Sequence, residues 1–251
     1  MMPTSDSGQH SGWADYPGEV WDERKPIGWL YDWPFWAECA TNYANKLPIL
    51  ELACGNGRIT RQLALAGYTV VAVDINPHFL SRATAQIRTL PDDMGIRVEF
   101  YLQDMVHLKL GRQFALALMA DWAFPALLNQ ADQLSFLRRL ADHLIPNGYF
   151  VFDTIFPGVR ELGLTPGIEG ECLEWSGTGR TFNPISQIET LISGGQVMQY
   201  RHTSLSEIRL LAEMTGFEVA ECFGGTDRRP LRGMPGDDLT VVLRKKIKRY
   251  D

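Results

Sequence analysis

The chain has 251 residues, of which 45% are hydrophobic and 22% are charged. This balance is typical of a globular enzyme, and it excludes a disordered chain, a collagen-like chain and a disulfide scaffold. The length favours one α/β domain with an elaborated lid, since an average domain has ~150 residues. Because no apolar run approaches the ~20 residues that cross a bilayer, and no secretory signal is recognisable at the start, no membrane association is expected.

The net charge and the cysteine spacing limit the kinds of partner and site that are expected. The chain carries 24 basic and 30 acidic residues, which gives a net charge of −6. Nucleic acid is not an expected partner because its binding needs clustered Lys and Arg, and the dense basic run at 244–249 is interpreted as a solvated tail. The 4 cysteines show neither CxxC nor Cys/His ligand spacing. They predict free thiols, a cytoplasmic protein and no metal site.

The middle of the chain alternates short apolar runs with amphipathic runs. This alternation predicts a parallel sheet with crossover helices. The predicted strands are 48–53, 68–74, 96–102, 114–119 and 149–155. The predicted helices are 58–67, 77–88 and 133–144.

The pattern changes after residue 155. Residues 156–179 are rich in Gly and Pro and lack a long apolar run. Residues 186–192 and 196–203 alternate around a Ser-Gly-Gly turn, which predicts an antiparallel hairpin. We expect this insertion to carry substrate specificity, because loops added to a shared scaffold often do so.

The last part of the chain returns to the α/β pattern. Ser204 and Glu207 form a capping box, which predicts a helix that ends at Gly216. Two more strands are predicted at 217–223 and 238–245.

The strongest chemical signal is ELACGNGR at 51–58, where the first strand meets the first helix. Gly55 and Gly57 lack a Cβ atom, so the backbone can turn sharply and a ligand can approach it closely. Thr60 replaces the third glycine of a dinucleotide fingerprint, and no GK[ST] follows, which excludes a P-loop. Asp74 ends the second strand, where a carboxylate can bind both hydroxyls of a ribose.

Acidic residues distinguish between classes of nucleoside. Asp104 follows the third strand between Gln103 and Met105, where side-chain and backbone groups can reach an adenine ring. Together with Glu51 and Asp74 it predicts a negative crevice without a cationic phosphate clamp. Such a crevice suits a cationic nucleoside better than a polyanionic one, and a sulfonium nucleoside fits.

The chain resembles the class I S-adenosylmethionine-dependent methyltransferases in the ordered motifs ELACGNGR, VVAVDIN and LQDM, followed by TSLSEIRLLAEMTGFEV with DDLTVVLRK. The resemblance covers 48–155 and, less closely, 204–245, and is to the small-molecule branch of the family. It implies a Rossmann-like, doubly wound α/β sheet of seven strands in the order 3-2-1-4-5-7-6, with strand seven antiparallel and an antiparallel hairpin or lid inserted after strand five.

The resemblance also implies roles for individual residues in binding S-adenosylmethionine. The backbone near the glycines would line the methionine moiety, and Arg58 would pair with its carboxylate. Asp74 would hold the ribose, and the groups after strands two and three would contact adenine. The implied cofactor residues of the sheet edge are Glu51, Ala53, Gly55, Gly57, Arg58, Asp74, Ile75, Gln103, Asp104, Met105, Met119 and Ala120. One departure is Phe114, where the family often has an acidic residue.

Five of the seven tryptophans lie in the N-terminal segment, at positions 13, 21, 29, 33 and 36. They predict either an aromatic lid that shields the sulfonium by cation–π contact or a helix that covers apolar sheet surface. Tyr31 and Trp36 are the candidates for cofactor contact, since related enzymes use an aromatic residue from this segment.

The candidate residues for binding the methyl acceptor and for removing its proton are selected by their positions in the sequence. His202 ends the hairpin and His107 follows the adenine loop, so these are the candidate general bases, although methyl transfer can proceed by alignment alone. The candidate acceptor contacts are Asp121, Trp122, Arg180, Tyr200 and Arg228. Trp122 could stack on a planar substrate, and the arginines could bind an acidic one.

The expected organisation has four parts. These are an aromatic-rich N-terminal lid and helix at 1–46, a cofactor-binding core at 47–155, a lid or acceptor insertion at 156–203 and the C-terminal part of the core sheet at 204–251. The expected function is methyl transfer to a small-molecule N or O nucleophile. The alternatives are a protein that binds S-adenosylmethionine without methyl transfer and an NAD(P)-dependent reductase. The acceptor, the methylated atom and the formation of a homodimer stay open.

Overall fold

The structure is a computed structural model that describes residues 12–91, 97–155, 173–175, 180–193, 195–233 and 238–247. The helices are α1 (Gly18–Arg24), α2 (Trp33–Tyr43), α3 (Arg58–Leu65), α4 (Pro77–Ile87), α5 (Gln130–His143) and α6 (Leu205–Met214). The strands of the larger sheet are β1 (Ile49–Leu52), β2 (Val70–Asp74), β3 (Val98–Leu102), β4 (Phe114–Met119), β5 (Leu144–Ile155), β10 (Phe217–Phe223) and β11 (Asp238–Lys245). Those of the smaller sheet are β6 (Leu173–Trp175), β7 (Arg180–Asn183), β8 (Ile188–Ser193) and β9 (Gln196–Arg201).

The larger sheet has seven strands in the order β3-β2-β1-β4-β5-β11-β10. The first five are parallel, and β11 runs antiparallel to both of its neighbours. Since β10 and β11 are the sixth and seventh predicted strands of this sheet, the predicted order 3-2-1-4-5-7-6 is confirmed. The carboxyl ends of β1 to β4 therefore meet at one edge, where a doubly wound sheet binds its ligands.

Helices cover both faces of the sheet because the strands are apolar on both. On one face, Leu50 and Leu52 of β1 belong to the same buried cluster as Phe136, Leu140 and other residues of α5 and α6. On the other face, Ile49 of β1 belongs to a second buried cluster with residues of α2 and α3. Full burial of such side chains contributes ~1.5–3 kcal/mol each relative to exposure, so the sheet edge rests on a rigid core.

The smaller sheet is antiparallel, in the order β6-β7-β8-β9. Its β8–β9 pair is the predicted hairpin, with Ser193 opposite Gln196 at the turn. Neither β6 nor β7 was predicted from the sequence. Both strands have at most four residues, too few for an alternating pattern to be recognised.

Capping side chains determine where helices begin. Asn76 accepts hydrogen bonds from the backbone of His78 and Phe79 at the start of α4, and the predicted start of this helix at 77 is confirmed. Asn129 accepts one from Asp132, so α5 begins at Gln130 and the predicted start at 133 was wrong. The helix α1 was not predicted, because its seven residues show no side-chain cap.

The N-terminal segment is held to the core by a buried ion pair. Asp32 accepts hydrogen bonds from Arg58 at 2.5 Å and 2.9 Å, and from Trp36 Nε1 at 2.8 Å. The side chains of Arg58 and Asp32 are 6% and 0% exposed. A cation in the first turn of α3 opposes the helix dipole, and this pairing with Asp32 gives the reason for its presence.

Replacement of Asp32 tests how strongly the segment depends on this pair. Asp32→Ala should lower the free energy of unfolding by about 3–5 kcal/mol, because the Arg58 guanidinium remains buried without its partner. Urea unfolding measures the change. The double variant Asp32→Ala/Arg58→Met is the control and should lose less than the single variant. A loss under about 1 kcal/mol, the range of exposed ion pairs, would contradict this account.

Candidate functional site

A cavity of about 1180 Å³ opens at the carboxyl edge of the larger sheet. Residues that follow β1, β2, β3 and β4 all line it, namely Ala53, Ile75, Gln103 and Ala120. The cavity continues between the start of α5 and the smaller sheet. A single cavity therefore connects the predicted cofactor side with the predicted acceptor side.

The glycine turn after β1 needs both of its glycines for steric reasons. Gly55 and Gly57 have φ of +57° and +83°, a region that L side chains rarely adopt. A Cβ at Gly57 would lie 3.1 Å from the Ala83 Cα atom, so this glycine allows α4 to pack against the turn. A Cβ at Gly55 would lie 3.3 Å from Trp21 Nε1. Gly55 lines the cavity, whereas Gly57 does not.

The Asp74 carboxylate is fixed in the cavity wall by backbone groups. Its Oδ2 accepts a hydrogen bond from Gly55 N, and its Oδ1 accepts one from Asn76 N, both at 2.8 Å. Burial raises the pKa of Asp74 to about 6, although these backbone N–H groups favour the ionised form. Each carboxylate oxygen retains a lone pair, so the group can still accept hydrogen bonds from two hydroxyls.

The loop after β3 forms another wall of the cofactor side. Asp104 accepts a hydrogen bond from Val106 N at 2.9 Å and thereby begins a 3-10 helix over Met105–His107. The Gln103 amide group is bonded to the backbone of Lys109 at both its nitrogen and its oxygen. Gln103 thus holds the loop closed, and the Asp104 carboxylate remains beside the cavity.

The acceptor side begins with a strained turn after β4. Asp121 and Trp122 have φ of +65° and +57°, a rare conformation for residues other than glycine. The Trp122 backbone N–H donates to Asp153 Oδ1 at 3.0 Å, and Lys25 Nζ lies 2.5 Å from Asp121 Oδ1. Burial raises the pKa of Asp153 to about 8. Such strain often occurs at functional sites, where the surrounding structure maintains it.

Several predicted cofactor residues do not line the cavity. Trp36 is fully buried against Asp32, and Tyr31 is 55% exposed at the surface. Arg58 is engaged with Asp32 and not available to a ligand carboxylate in this arrangement. Glu51 accepts a hydrogen bond from Thr60 inside the core, and Met119 is also buried there. The other predicted cofactor residues, apart from Gly57, lie in the lining.

Some of the predicted acceptor-binding residues line the cavity and others do not. Asp121, Trp122 and Tyr200 line the cavity. Arg180 and Arg228 do not, because Arg180 pairs with Glu189 and Arg228 with Glu38 and Glu221. Both arginines are therefore neutralised away from the cavity.

The two candidate histidines differ in position. His107 lines the cavity. His202 is 4% exposed and lies outside the lining, with Nε2 2.8 Å from Glu189 Oε2. Burial alone would raise the pKa of Glu189, but the hydrogen bond from His202 and the charge of Arg180 bring it below its usual value.

Sequence reasoning missed several lining residues of the N-terminal segment. Trp13, Trp21 and Lys25 line the cavity although none was selected as a site residue. Asp22 and the Lys25 carbonyl both accept hydrogen bonds from Asn56 Nδ2, which brings α1 over the glycine turn. No local sequence pattern predicts these contacts, because the partners are more than thirty residues apart in the chain.

The described residues form neither a cluster of metal ligands nor a membrane-spanning helix. Across the described ranges, no group of three or more His, Cys, Asp or Glu side chains is arranged to hold a metal ion. None of the helices in those ranges combines the length and the apolar character that crossing a membrane requires.

Comparisons with known proteins show that the chain is similar to methyltransferases. Residues 49–148 match a family model described as a methyltransferase domain. The cypemycin N-terminal methyltransferase of a Streptomyces species is 27% identical over 210 residues, which cover 78% of this chain and 83% of that protein. This chain is also similar to a ubiquinone biosynthesis O-methyltransferase of Rickettsia canadensis, with 25% identity over 114 residues. The match covers 45% of this chain, and the chain spans 45% of that relative's length.

Solved structures share the fold at lower sequence identity. The methyltransferase CcbJ from Streptomyces caelestis matches with a TM-score of 0.76 and 22% identity, covering 96% of this chain and 100% of that one. The glycopeptide N-methyltransferase MtfA in complex with S-adenosylmethionine matches with a TM-score of 0.63 and 17% identity, covering 98% and 100% of the two chains. The match over residues 49–148 and the order of the larger sheet together support a class I S-adenosylmethionine-dependent methyltransferase fold for this chain.

Proposed function

We propose that the protein transfers a methyl group from S-adenosylmethionine to a nitrogen or oxygen nucleophile of a small molecule. The observation that carries this proposal is the Asp74 carboxylate, which the backbone of Gly55 and Asn76 holds at the wall of the cavity. When bound, S-adenosylmethionine supplies an electrophilic methyl group that a nucleophile displaces directly.

The residues around the cavity fit this cofactor. Asp74 offers fixed acceptors to the ribose hydroxyls, and Gly55 presents its backbone without a side chain to the cavity, beside Trp21. We propose that Ile75, Asp104 and Met105 contact the adenine ring. All three line the cavity, Ile75 directly after Asp74 and the other two after β3, the strand that pairs with β2. We assign the methionine moiety to Ala53, Gly55 and Ala120.

The cavity also has room for an acceptor. Its volume of about 1180 Å³ exceeds the ~300–1,000 Å³ of common small-molecule sites. We propose that the acceptor binds beyond Ala120, between Trp122 and Tyr200, and that residues 185–188 supply part of that wall. The net charge of −6 supports a small molecule over nucleic acid. A relative named as an O-methyltransferase and a structural neighbour named as an N-methyltransferase support both types of nucleophile.

Alignment of donor and acceptor in the cavity would supply most of the acceleration. Where the acceptor arrives protonated, His107 is the better placed of the two candidate bases, since His202 lies outside the lining. We further propose a reducing compartment such as the cytoplasm, because Cys39, Cys54 and Cys222 are free thiols. The formation of a homodimer stays a prediction.

Replacement of Asp74 tests the assignment of the ribose. Asp74→Ala should weaken binding of S-adenosylhomocysteine by ~1.5–3 kcal/mol, the usual loss for hydrogen bonds to a charged group. Isothermal titration calorimetry measures this affinity. Asp142→Ala, at an exposed aspartate of α5, is the matched control and should bind like the wild type. Unchanged affinity in a folded Asp74→Ala variant would show that the ribose lies elsewhere.

The pH dependence of the same affinity is a second test. Burial raises the pKa of Asp74 to about 6 in the free protein. Hydroxyl groups donate to the ionised carboxylate, so a proton competes with the nucleoside. Affinity for S-adenosylhomocysteine should be constant above about pH 7 and fall as the pH drops below 6, approaching tenfold per unit. Asp74→Asn should remove this dependence. A wild-type affinity that rises on acidification would contradict the proposal.

A further inference from the structure

The ammonium group of Lys25 lies beside Asp121 and Trp122, which line the acceptor side of the cavity, and beside Trp29, which is outside that lining. Its Nζ atom lies 2.5 Å from Asp121 Oδ1, 4.6 Å from the centre of the Trp29 ring and 5.6 Å from that of the Trp122 ring. We call Asp121, Trp29 and Trp122 the ammonium box. The Lys25 and Asp121 side chains are 20% and 14% exposed, so the charges are largely removed from water.

The chemistry of the box is selective for organic cations. A carboxylate supplies a charged acceptor, and indole faces attract ammonium groups more strongly than other aromatic rings do. A neutral hydroxyl group gains neither the ion pair nor the cation–π attraction. The box would therefore distinguish an amine from an alcohol of the same shape.

The backbone maintains the box at an energetic cost. Asp121 and Trp122 both have positive φ, and each such residue costs ~1–3 kcal/mol. The hydrogen bond from Trp122 N to Asp153 holds the turn in this conformation. A surface ion pair alone would not need this arrangement, because exposed pairs form readily between flexible side chains.

The position of the box relates it to the proposed reaction. Asp121 and Trp122 directly follow Ala120 and line the same cavity as Gly55 and Asp74. Lys25 directly follows α1 and has a flexible side chain, and its backbone carbonyl accepts a hydrogen bond from Asn56. Its ammonium group can therefore leave the box without displacement of the main chain.

We propose that the ammonium box binds the protonated amino group of the acceptor and that Lys25 fills the box until the acceptor arrives. This inference rests on the proposed function and narrows its substrate class to amines. The bound ammonium group must give one proton to water before its nitrogen can act as a nucleophile.

Binding of two simple probes to the full-length protein, saturated with S-adenosylhomocysteine, tests the proposal. The probes are cyclohexylammonium and cyclohexanol, which share one shape, and calorimetry measures their affinities. We expect the cation to bind about tenfold more tightly or better, in line with a desolvated charged contact. Lys25→Met removes the internal competitor and should tighten cation binding several-fold while leaving cyclohexanol binding unchanged.

Variants of the box supply the controls. Asp121→Asn should abolish the preference for the cation, and the substitution suits the backbone because asparagine tolerates positive φ. Trp122→Phe should keep part of the preference, whereas Trp122→Leu should lose more of it. If Asp121→Asn fails to fold, Lys25→Met still tests the proposal, because this variant should bind the cation more tightly than the wild type.

Three results would overturn the ammonium box. They are equal binding of the two probes to the wild type, weaker cation binding by Lys25→Met, and an unchanged preference in Asp121→Asn. If S-adenosylhomocysteine still binds in those cases, the proposed methyl transfer survives and the amine assignment fails. Failure of S-adenosylhomocysteine to bind would instead reject the proposed function on which the box depends.

Discussion

The hydrogen bond from the Gly55 backbone to the Asp74 carboxylate joins the ends of two neighbouring strands, and the rest of the site depends on it. The turn after β1 can reach Asp74 because Gly55 adopts a positive φ. The same contact holds a buried carboxylate against the cavity, which is costly for the protein unless hydrogen bonds offset the loss of water. The rigidly held carboxylate and the glycine bend are therefore one structural unit.

The N-terminal segment is attached to this unit and forms part of the cavity wall. Asn56, inside the glycine turn, binds Asp22 and the carbonyl of Lys25, while Arg58 binds Asp32. The turn therefore positions the helix that carries Lys25 over the acceptor side. The cofactor side and the acceptor side are linked through these few polar contacts.

Features that depend on local pattern were predicted well. The alternation of strands and helices predicted a parallel sheet, and the resemblance to a known family implied the order of its strands. Asp74 was identified because it ends β2 beside the glycine turn. Trp36 and Arg58 were assigned to the cofactor, yet they meet at Asp32 in the core, a contact over 26 residues between Arg58 and Asp32. The Lys25–Asp121 pair spans 96 residues. Such long-range pairings leave no periodic or spacing signal, so sequence reasoning could not find them.

A crystal structure of the protein with S-adenosylhomocysteine tests the central claim most directly. The account expects both ribose hydroxyls within hydrogen-bonding distance of the Asp74 carboxylate, the adenine ring beside Asp104 and the sulfur atom near Ala120. An adenosyl group bound outside this cavity, or an Asp74 carboxylate that contacts only water in the complex, would contradict it.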